Sequence, residues 1–550
     1  MAGTMQAAER TTGTAAGLVA DSRTVALWTL ASRLTGFVRV AAMAAILGPT
    51  FFGNLFQTTA LVPGLLFGLL GGSLVGAVLV PRLVHPADAG DGDAVRRLAN
   101  GFLGAALLVL LAVAGAVLLA GPWLLALATA AVDDPEVRSA QLRLGVLLLA
   151  MQLPQLLLSA VVATAIAVQH AHGRFALAAA APIAENLVVI AVLGLSAARF
   201  GAGTEIGAVD PAQVALLGLG GTAAVAVHAA LQWWGARRAG VTLVPGAGWR
   251  IAEVRRALRA SAAASRYTGL HTAVGFALVG AAGGVPGAVV ALQIGQNFAS
   301  LPVALGAAPM AAAQLPRLSR SHSAGALAEF HGTFRDSVAL TRFVALPAGL
   351  LLFALCEPLA RAVAFGPMDT ANGTAMVAAC IGGLGLGVLG EAVLVVATSA
   401  SYARHDAAAP FHAMALRLAV AVGGIATSLA LLDGVPLLWG LAAASSAGSL
   451  ASAAYLYGRT VRGLPRLPPA GGRLPAEAAV AAGSVLAGGL LAWPLAAAAE
   501  GPLERIVIAG TALLVSGALY LALQRLRGSP EARALLPVLF RPGPAQPAGR

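Results

Sequence analysis

The sequence contains no lysine, only two cysteines and few charged residues of any kind. Charged side chains make up 11% of its 550 residues, whereas a soluble domain carries about 25%. Hydrophobic residues make up 58%, and the mean hydropathy is +0.83. A chain with so few polar groups cannot cover a surface that faces water. This composition excludes a soluble globular protein and makes lipid the solvent for most of the chain.

Motifs for catalysis and metal binding are also missing. Cys356 and Cys380 lie in or beside apolar segments, and neither belongs to a CxxC motif. His170 and His172 are close together, but they fall in a predicted loop with no third ligand nearby. The sequence has no phosphate-binding loop and no catalytic triad. It therefore predicts no cofactor, no metal site and no catalytic residue, and a protein that is not an enzyme.

Long apolar runs dominate the chain, and each is long enough to cross a bilayer. A shorter apolar stretch, 121–131, is expected to lie at the membrane interface. The pattern predicts an all-α polytopic membrane protein with about fourteen transmembrane helices. The predicted spans are 25–47, 55–83, 98–120, 141–168, 175–199, 212–236, 260–283, 286–317, 339–357, 372–400, 409–432, 436–458, 476–498 and 503–525. In the eighth span Pro302 and Pro309 predict a kink.

Arginine positions predict the orientation. If the N-terminus lies in the cytoplasm, and arginines at the ends of spans are counted with the adjoining loops, the tails and cytoplasmic loops hold 25 arginines and the opposite loops hold four. This asymmetry follows the positive-inside rule and places both termini in the cytoplasm. It also explains the net charge of +12 without nucleic-acid binding. The absence of lysine and the abundance of Ala, Gly and Leu suggest a bacterial genome, so the expected location is the bacterial inner membrane.

Two short segments occur twice. Residues 31–37 read ASRLTGF and residues 264–270 read ASRYTGL; residues 80–83 read VPRL and residues 315–318 read LPRL. Offsets of 233 and 235 residues indicate two homologous halves. Because both copies would open spans of the same direction, the repeat is parallel, as in transporters that place substrate between two lobes.

The repeat and the spans together predict the domain organisation. A cytoplasmic tail (1–24) precedes the rest of the chain, and no cleavable signal peptide is apparent in it. The remaining parts are an N-lobe of six spans (25–236), a C-lobe of six spans (260–458), a final helix pair (476–525) and a disordered cytoplasmic tail (526–550).

Arginines inside the spans are the candidate substrate-binding residues. Arg33 and Arg39 lie near the middle of the first span, where an arginine costs about 2.5–3.5 kcal/mol. Such a cost favours a watered cavity that receives an anion, since guanidinium binds two phosphate oxygens at once. A bend near Thr35 and Gly36 would bring the two together. Arg266 is the repeat counterpart of Arg33, and snorkelling or pairing with an acid is the alternative for all three.

Two acids also lie deep in predicted spans. Glu185 belongs to the fifth span and Glu391 to the tenth. Each is expected to neutralise an arginine or to bind a coupling proton or cation. Arg417 lies within a span as well, but it has no counterpart in the repeat.

The motifs resemble the MviN/MurJ family of lipid II flippases. The resemblance rests on SRLTGFVR at 32–39, on HGRFAL at 172–177 followed by AP at 181–182 and NL at 186–187, and on YARHD at 402–406. It implies two lobes, a lipid-facing groove formed by the last two spans, and transfer of undecaprenyl-pyrophosphate-linked peptidoglycan precursor from the inner to the outer leaflet. The implied partners are a lipid-linked glycan, membrane lipid and cell-wall synthesis proteins.

Several positions depart from the family pattern. The acid that usually follows the second arginine is Val40, and the aspartate near the start of the second span is Asn54. A basic pair falls on Phe67 and Gly68. Before the proline of the eighth span, Arg and Glu become Asn297 and Ser300. The resemblance thus implies a cavity that retains Arg33 and Arg39, with Asn297 in place of a charged group.

Two other functions remain open. A drug or cation antiporter of the same superfamily would use Glu185 or Glu391 as its essential cavity group. A transport-inactive scaffold for envelope synthesis would instead depend on the basic loops around Arg255 and Arg462.

Overall fold

The computed structural model describes residues 27–69, 79–465, 473–499 and 501–533, with only the backbone described at 253, 257–265 and 473–474. The predicted tail 1–24, most of the predicted tail 526–550 and part of the second predicted span lie outside these residues. The described part is helical and contains no strand. The all-α class predicted from the apolar runs is therefore confirmed.

Nineteen α-helices are described. In chain order they are α1 Leu27–Leu47, α2 Phe51–Phe67, α3 Val80–Asp88, α4 Gly92–Ala128, α5 Pro135–Gln152, α6 Pro154–Ala171, α7 Ala176–Phe200, α8 Pro211–Arg238, α9 Ala252–Ala282, α10 Ala288–Pro302, α11 Ala308–Ser323, α12 Leu327–Ala354, α13 Cys356–Val363, α14 Ala371–Gly385, α15 Val388–Ala403, α16 Ala408–Leu431, α17 Gly434–Val461, α18 Arg473–Ala498 and α19 Pro502–Leu526. Short polar side chains begin several of them by accepting a backbone N–H of the first turn, as Thr50 does for α2 and Asp91 for α4.

Two of the fourteen predicted spans have no counterpart among the described helices that are long and apolar enough to cross a bilayer. Eleven helical segments of the described part are long and apolar enough to cross a bilayer, or twelve if α14 and α15, bent by 41°, form one span. The predicted spans 55–83 and 260–283 fall on α2 with α3 and on α9, outside this set. The polytopic architecture is confirmed, and the count of fourteen stays a prediction.

Helix α4 differs from the sequence expectation in its length. It contains 37 residues and runs through residues 121–128 with Pro122 inside it, so the stretch expected at the interface is not a separate segment. A helix of this length is about 56 Å long at 1.5 Å per residue. The hydrocarbon core is about 30 Å thick, so α4 extends well beyond it.

The eighth predicted span is irregular where its prolines predict a kink. Between α10 and α11 the backbone forms a π-helical segment, Val303–Ala307. Pro302 precedes this segment and Pro309 follows it. Because proline has no N–H to donate, the usual hydrogen-bond ladder is interrupted at both ends.

The described chain divides into two compact units. Unit 1 comprises residues 27–272 and 283–290, and unit 2 comprises residues 273–282 and 291–533. Among the described residues of unit 1, one hydrophobic cluster draws buried side chains from α3, α4, α6 and α8. Another draws them from α1, α2, α4, α5, α7 and α8. The segment after α8 closes onto α4, where a Cβ on Gly104 would lie 1.9 Å from the Gly246 carbonyl oxygen. Only glycine permits that approach.

Unit 2 includes the C-terminal helix pair α18–α19. Arg342 of α12 donates two hydrogen bonds, of 2.8 and 3.1 Å, to Glu477 of α18. The Tyr520 hydroxyl on α19 donates to the Phe343 carbonyl at 3.0 Å. These hydrogen bonds hold helices α18 and α19 against α12.

Candidate functional site

The predicted cationic residues of unit 1 lie in different environments. Helix α1 is continuous from Leu27 to Leu47, with no interruption at Thr35 and Gly36. Arg33 is exposed and Arg39 is half-buried, as expected for side chains about 120° apart on an ideal helix. Arg266 on α9 is exposed.

Asn297, the candidate substrate-binding residue of unit 2, is half-buried on α10. Its Nδ2 donates to the Gln293 carbonyl one turn earlier, at 2.8 Å. This bond leaves the Asn297 side-chain oxygen available to a donor from a ligand.

Glu185 joins Arg39 to a histidine. Oε1 of Glu185 lies 3.7 Å from Nη1 of Arg39, and Oε2 lies 2.7 Å from Nδ1 of His228. The side chains of Arg39 and Glu185 are 33% and 23% exposed, so the ion pair is long and partly hydrated. Nε of Arg39 is buried and has no hydrogen-bond partner among the described residues. Arg39 is therefore held loosely.

Two glutamines extend this group and fix its hydrogen atoms. Nε2 of Gln169 lies 3.2 Å from the Ala165 carbonyl and 2.7 Å from Oε1 of Gln232, both of which can only accept. The amide nitrogen of Gln232 therefore faces Nε2 of His228, at 3.4 Å. An amide nitrogen can only donate, so Nε2 of His228 accepts and Nδ1 carries the proton given to Glu185. The geometry corresponds to Nδ1 of His228 donating to Glu185 while Nε2 accepts from Gln232.

The neighbour of Glu185 ties two of the sequence motifs together. Nδ2 of Asn186 donates to the Ser32 carbonyl at 3.3 Å and to the Thr35 hydroxyl at 3.1 Å. A Cβ on Gly36 would lie 3.5 Å from the same nitrogen. These contacts hold α7 against α1 and place Glu185 beside Arg39.

The second deep acid, Glu391, lies in unit 2 and pairs with Arg417. Nη2 of Arg417 contacts Oε1 of Glu391, and the Ser449 hydroxyl donates to the same oxygen at 2.9 Å. The Arg417 side chain is only 6% exposed. Its Nε and Nη1 are buried and have no hydrogen-bond partner among the described residues. Arg417 thus depends on Glu391 for its neutralisation.

Asn54, one of the departures from the family pattern, has a structural role within unit 1. Its Nδ2 donates to the Val285 carbonyl at 2.7 Å, and its Oδ1 accepts the N–H of Val289 at 3.0 Å. An amide can donate and accept at once, whereas an ionised aspartate can only accept. Asn54 is 2% exposed, so these bonds are not replaced by water.

Sequence reasoning identified Arg39 and Glu185 but missed His228, Gln232 and Gln169. His228 and Gln232 are four residues apart in an apolar run and so share one face of α8, which was the available signal. Within the described residues no group of three His, Cys, Asp or Glu side chains could hold a metal ion.

Comparison with known proteins identifies relatives along most of the chain. The family model described as lipid II flippase MurJ matches residues 43–499. A probable lipid II flippase MurJ of Rhizobium meliloti (strain 1021) is 27% identical over 510 residues, which are 90% of this chain and 91% of the relative. The lipid II flippase MurJ of Burkholderia cenocepacia is 25% identical over 515 residues, which are 90% of this chain and 95% of the relative.

Solved structures share the fold. A lipid II flippase MurJ in an inward closed conformation matches with a TM-score of 0.69 and 15% identity, covering 91% of this chain and 98% of that one. An inward-facing multidrug resistance transporter of the MATE family matches with a TM-score of 0.61 and 12% identity, covering 78% and 94%. At these identities the structural matches establish the fold alone.

Proposed function

We infer the function from one premise: this chain belongs to the lipid II flippase MurJ family, whose model matches residues 43–499. We propose that it moves a polyprenyl-pyrophosphate-linked peptidoglycan precursor, lipid II or a related glycolipid, from the inner to the outer leaflet by alternating access. It is a multi-pass membrane transporter and not an enzyme. The family match carries the proposal.

The pyrophosphate is assigned to the arginines of α1. Arg33 is exposed, and Arg39 is exposed over a third of its side chain and only loosely paired. A guanidinium offers a planar fork of N–H donors that matches two phosphate oxygens. Arg266 and Asn297 are proposed as further contacts to the polar part of the substrate. The polyprenyl tail would stay in lipid, because its transfer through a polar site has no compensating interaction.

The charge distribution supports an inner-membrane location with both termini in the cytoplasm. Tails and cytoplasmic loops would hold 25 arginines and opposite loops four, which is the asymmetry that sets orientation. The substrate's chemistry also implies cell-wall synthesis proteins as functional neighbours, since they supply and consume it.

Drug or cation antiport is the second candidate, and Glu185 is the observation that favours it. A half-buried acid on a transport helix can bind a cation or a proton. Glu391 supports this function less, because Arg417 already supplies a permanent positive charge at the same carboxylate.

Complementation tests the proposal. A bacterium depleted of its essential lipid II flippase would receive this chain or its Arg33→Ala variant at matched membrane levels. We expect the parent to restore growth and the variant to fail, because the variant lacks an exposed cationic contact for pyrophosphate. The matched control is Arg143→Ala, which removes an exposed arginine that donates only to Ser139 on its own helix, at 3.4 Å; this variant should rescue.

Each outcome separates the candidate functions. Failure of a well-inserted parent would overturn general lipid II flipping and favour another polyprenyl-linked substrate or the transport-inactive scaffold. Rescue by Arg33→Ala but not by Glu185→Gln would show that flipping depends on the acid rather than on this cationic contact. Rescue by both variants would overturn the assignment of the pyrophosphate to Arg33.

A further inference from the structure

The polar group of unit 1 has one oxygen whose partner is weakly held. Oε2 of Glu185 accepts a 2.7 Å bond from His228, whose other nitrogen accepts from Gln232. Among the described residues, Oε1 of Glu185 has only the 3.7 Å contact with Arg39. If Arg39 turns to another anion, Oε1 loses its positive neighbour while the rest of the network stays intact.

A half-buried carboxylate that loses its cation becomes costly. Glu185 is 23% exposed, and removing a counter-charge from such a group favours the protonated form. The proton has one place to bind without disturbing the network. Nε2 of His228 already accepts a hydrogen bond, so a proton there would face the amide N–H of Gln232. Oε1 of Glu185 is the free acceptor.

We propose that Glu185 takes up a proton at Oε1 when Arg39 leaves it to bind an anionic, pyrophosphate-bearing substrate. The inference rests on the proposed function. Arg39 and the proton compete for one carboxylate oxygen, so substrate binding and proton uptake favour each other. The reverse follows as well: release of the substrate returns Arg39 to Glu185 and expels the proton. His228 is a positioning residue, because it holds Oε2 and turns Oε1 towards Arg39.

Few other charges bear on this exchange. Glu185 lies on α7, which packs against α8 and contacts α1 through Asn186. Helix α1 contributes Arg33 and Arg39, and α8 contributes His228 together with Arg237 and Arg238 in its last turn. Arg199 on α7 itself is 14 residues from Glu185, about 21 Å along the helix. Arg39 and His228 are the ionisable side chains described in contact with Glu185.

The test combines ligand binding with proton counting. Undecaprenyl pyrophosphate would be titrated into the detergent-solubilised full chain at pH 6, 7 and 8, and in weak buffer with a pH-indicating dye. Glu185→Gln mimics the protonated acid and cannot compete for Arg39. We expect this variant to bind at least fivefold more tightly than the parent at pH 8, with the gap closing at pH 6. On binding undecaprenyl pyrophosphate, the parent should take up as much as one proton more per bound ligand than Glu185→Gln does.

Two further variants control for folding and for the ligand's own titration. Glu391→Gln makes the same change at the acid of unit 2 that contacts Arg417, and this variant should retain the parent's proton uptake. Arg39→Gln removes the competing cation, so binding should weaken and its extra proton uptake should vanish. Protonation of the pyrophosphate is common to all variants and cancels in each comparison.

The outcomes distinguish the two proposals. Binding by the parent with the same pH dependence and proton uptake as Glu185→Gln would overturn proton exchange and leave the flippase proposal standing. If Glu391→Gln took up less proton than the parent while Glu185→Gln took up as much as the parent, the proton exchange would belong to unit 2. That result would overturn the proposal for Glu185. No binding by the parent at any pH would overturn the proposed substrate, and the exchange with it.

Discussion

Glu185 of unit 1 and Glu391 of unit 2 each lie beside an arginine, and the two pairs differ in how firmly they are held. In unit 1 Glu185 is 3.7 Å from Arg39, and both side chains are partly exposed. In unit 2 Glu391 contacts Arg417 directly, and the arginine is 6% exposed. The first pair can separate, with water or a ligand taking the place of either partner. The second cannot separate without stranding a buried charge.

The neighbours of each acid extend the difference. Glu185 accepts from His228 through Oε2, which leaves Oε1 facing Arg39. Glu391 accepts from Ser449 at the same oxygen that Arg417 contacts. The same two residue types therefore form an exchangeable site in one unit and a structural pair in the other.

The largest expected effect comes from removing the acid that neutralises the buried arginine. Glu391→Met leaves Arg417, whose side chain is 6% exposed, without its anion, and breaking such a buried pair costs about 3 kcal/mol. Arg39→Met should cost about 1 kcal/mol or less, because a hydrated pair contributes little. Thermal unfolding in detergent, followed by circular dichroism, measures both.

A double variant provides the control for this prediction. Glu391→Met with Arg417→Met removes both charges and should recover most of the lost stability. Equal losses for Arg39→Met and Glu391→Met would show that the two pairs do not differ as described.

A smaller effect is expected from neutralising each acid while keeping its shape. Glu391→Gln retains a hydrogen-bond acceptor for Arg417 but removes the anion that neutralises this buried arginine, so part of the cost of breaking a buried pair remains. The expected loss of stability is about 2 kcal/mol. Glu185→Gln should change stability by less than half as much. The measurement is the melting temperature of each variant. A lower melting temperature for Glu185→Gln than for Glu391→Gln would contradict the described difference between the two pairs.

Much of the fold could be predicted from the sequence, because a bilayer allows few solutions for an apolar chain. The predicted spans 175–199 and 212–236 lie within two residues of α7 and α8. The long extension of α4 could not be predicted in this way, since residues 121–128 read as a separate short apolar stretch. The bent pair α14–α15 and the short helix α13 likewise depend on packing that hydropathy does not report.

The sequence indicated which charged residues belong to the candidate site, but not which of them contact one another. Arg39 and Glu185 stand out because charges are expensive within apolar spans. Which arginine meets which acid depends on the rotation and depth of helices that are far apart in sequence, and that information is not in the spacing. His228 was missed for the same reason: a lone histidine in an apolar run is unremarkable until Glu185 is placed against it. Asn54 shows the converse, where a departure from the family pattern makes structural sense only beside Val285 and Val289.

The smallest expected effect concerns the hydroxyl that completes the pair in unit 2. Ser449→Ala removes the 2.9 Å bond to Glu391, and Ser452→Ala, on the same helix, removes only a bond to the Ser449 carbonyl. Both serines are buried, and both changes bring the same gain in helix propensity, so their difference isolates the bond to the acid. Ser449→Ala should cost about 1 kcal/mol more than Ser452→Ala.

In a Glu391→Gln background this difference in stability should shrink, because the acceptor is no longer charged. An unchanged difference in that background would mean that Ser449 stabilises α17 independently of Glu391, and that the carboxylate of unit 2 is held by Arg417 alone.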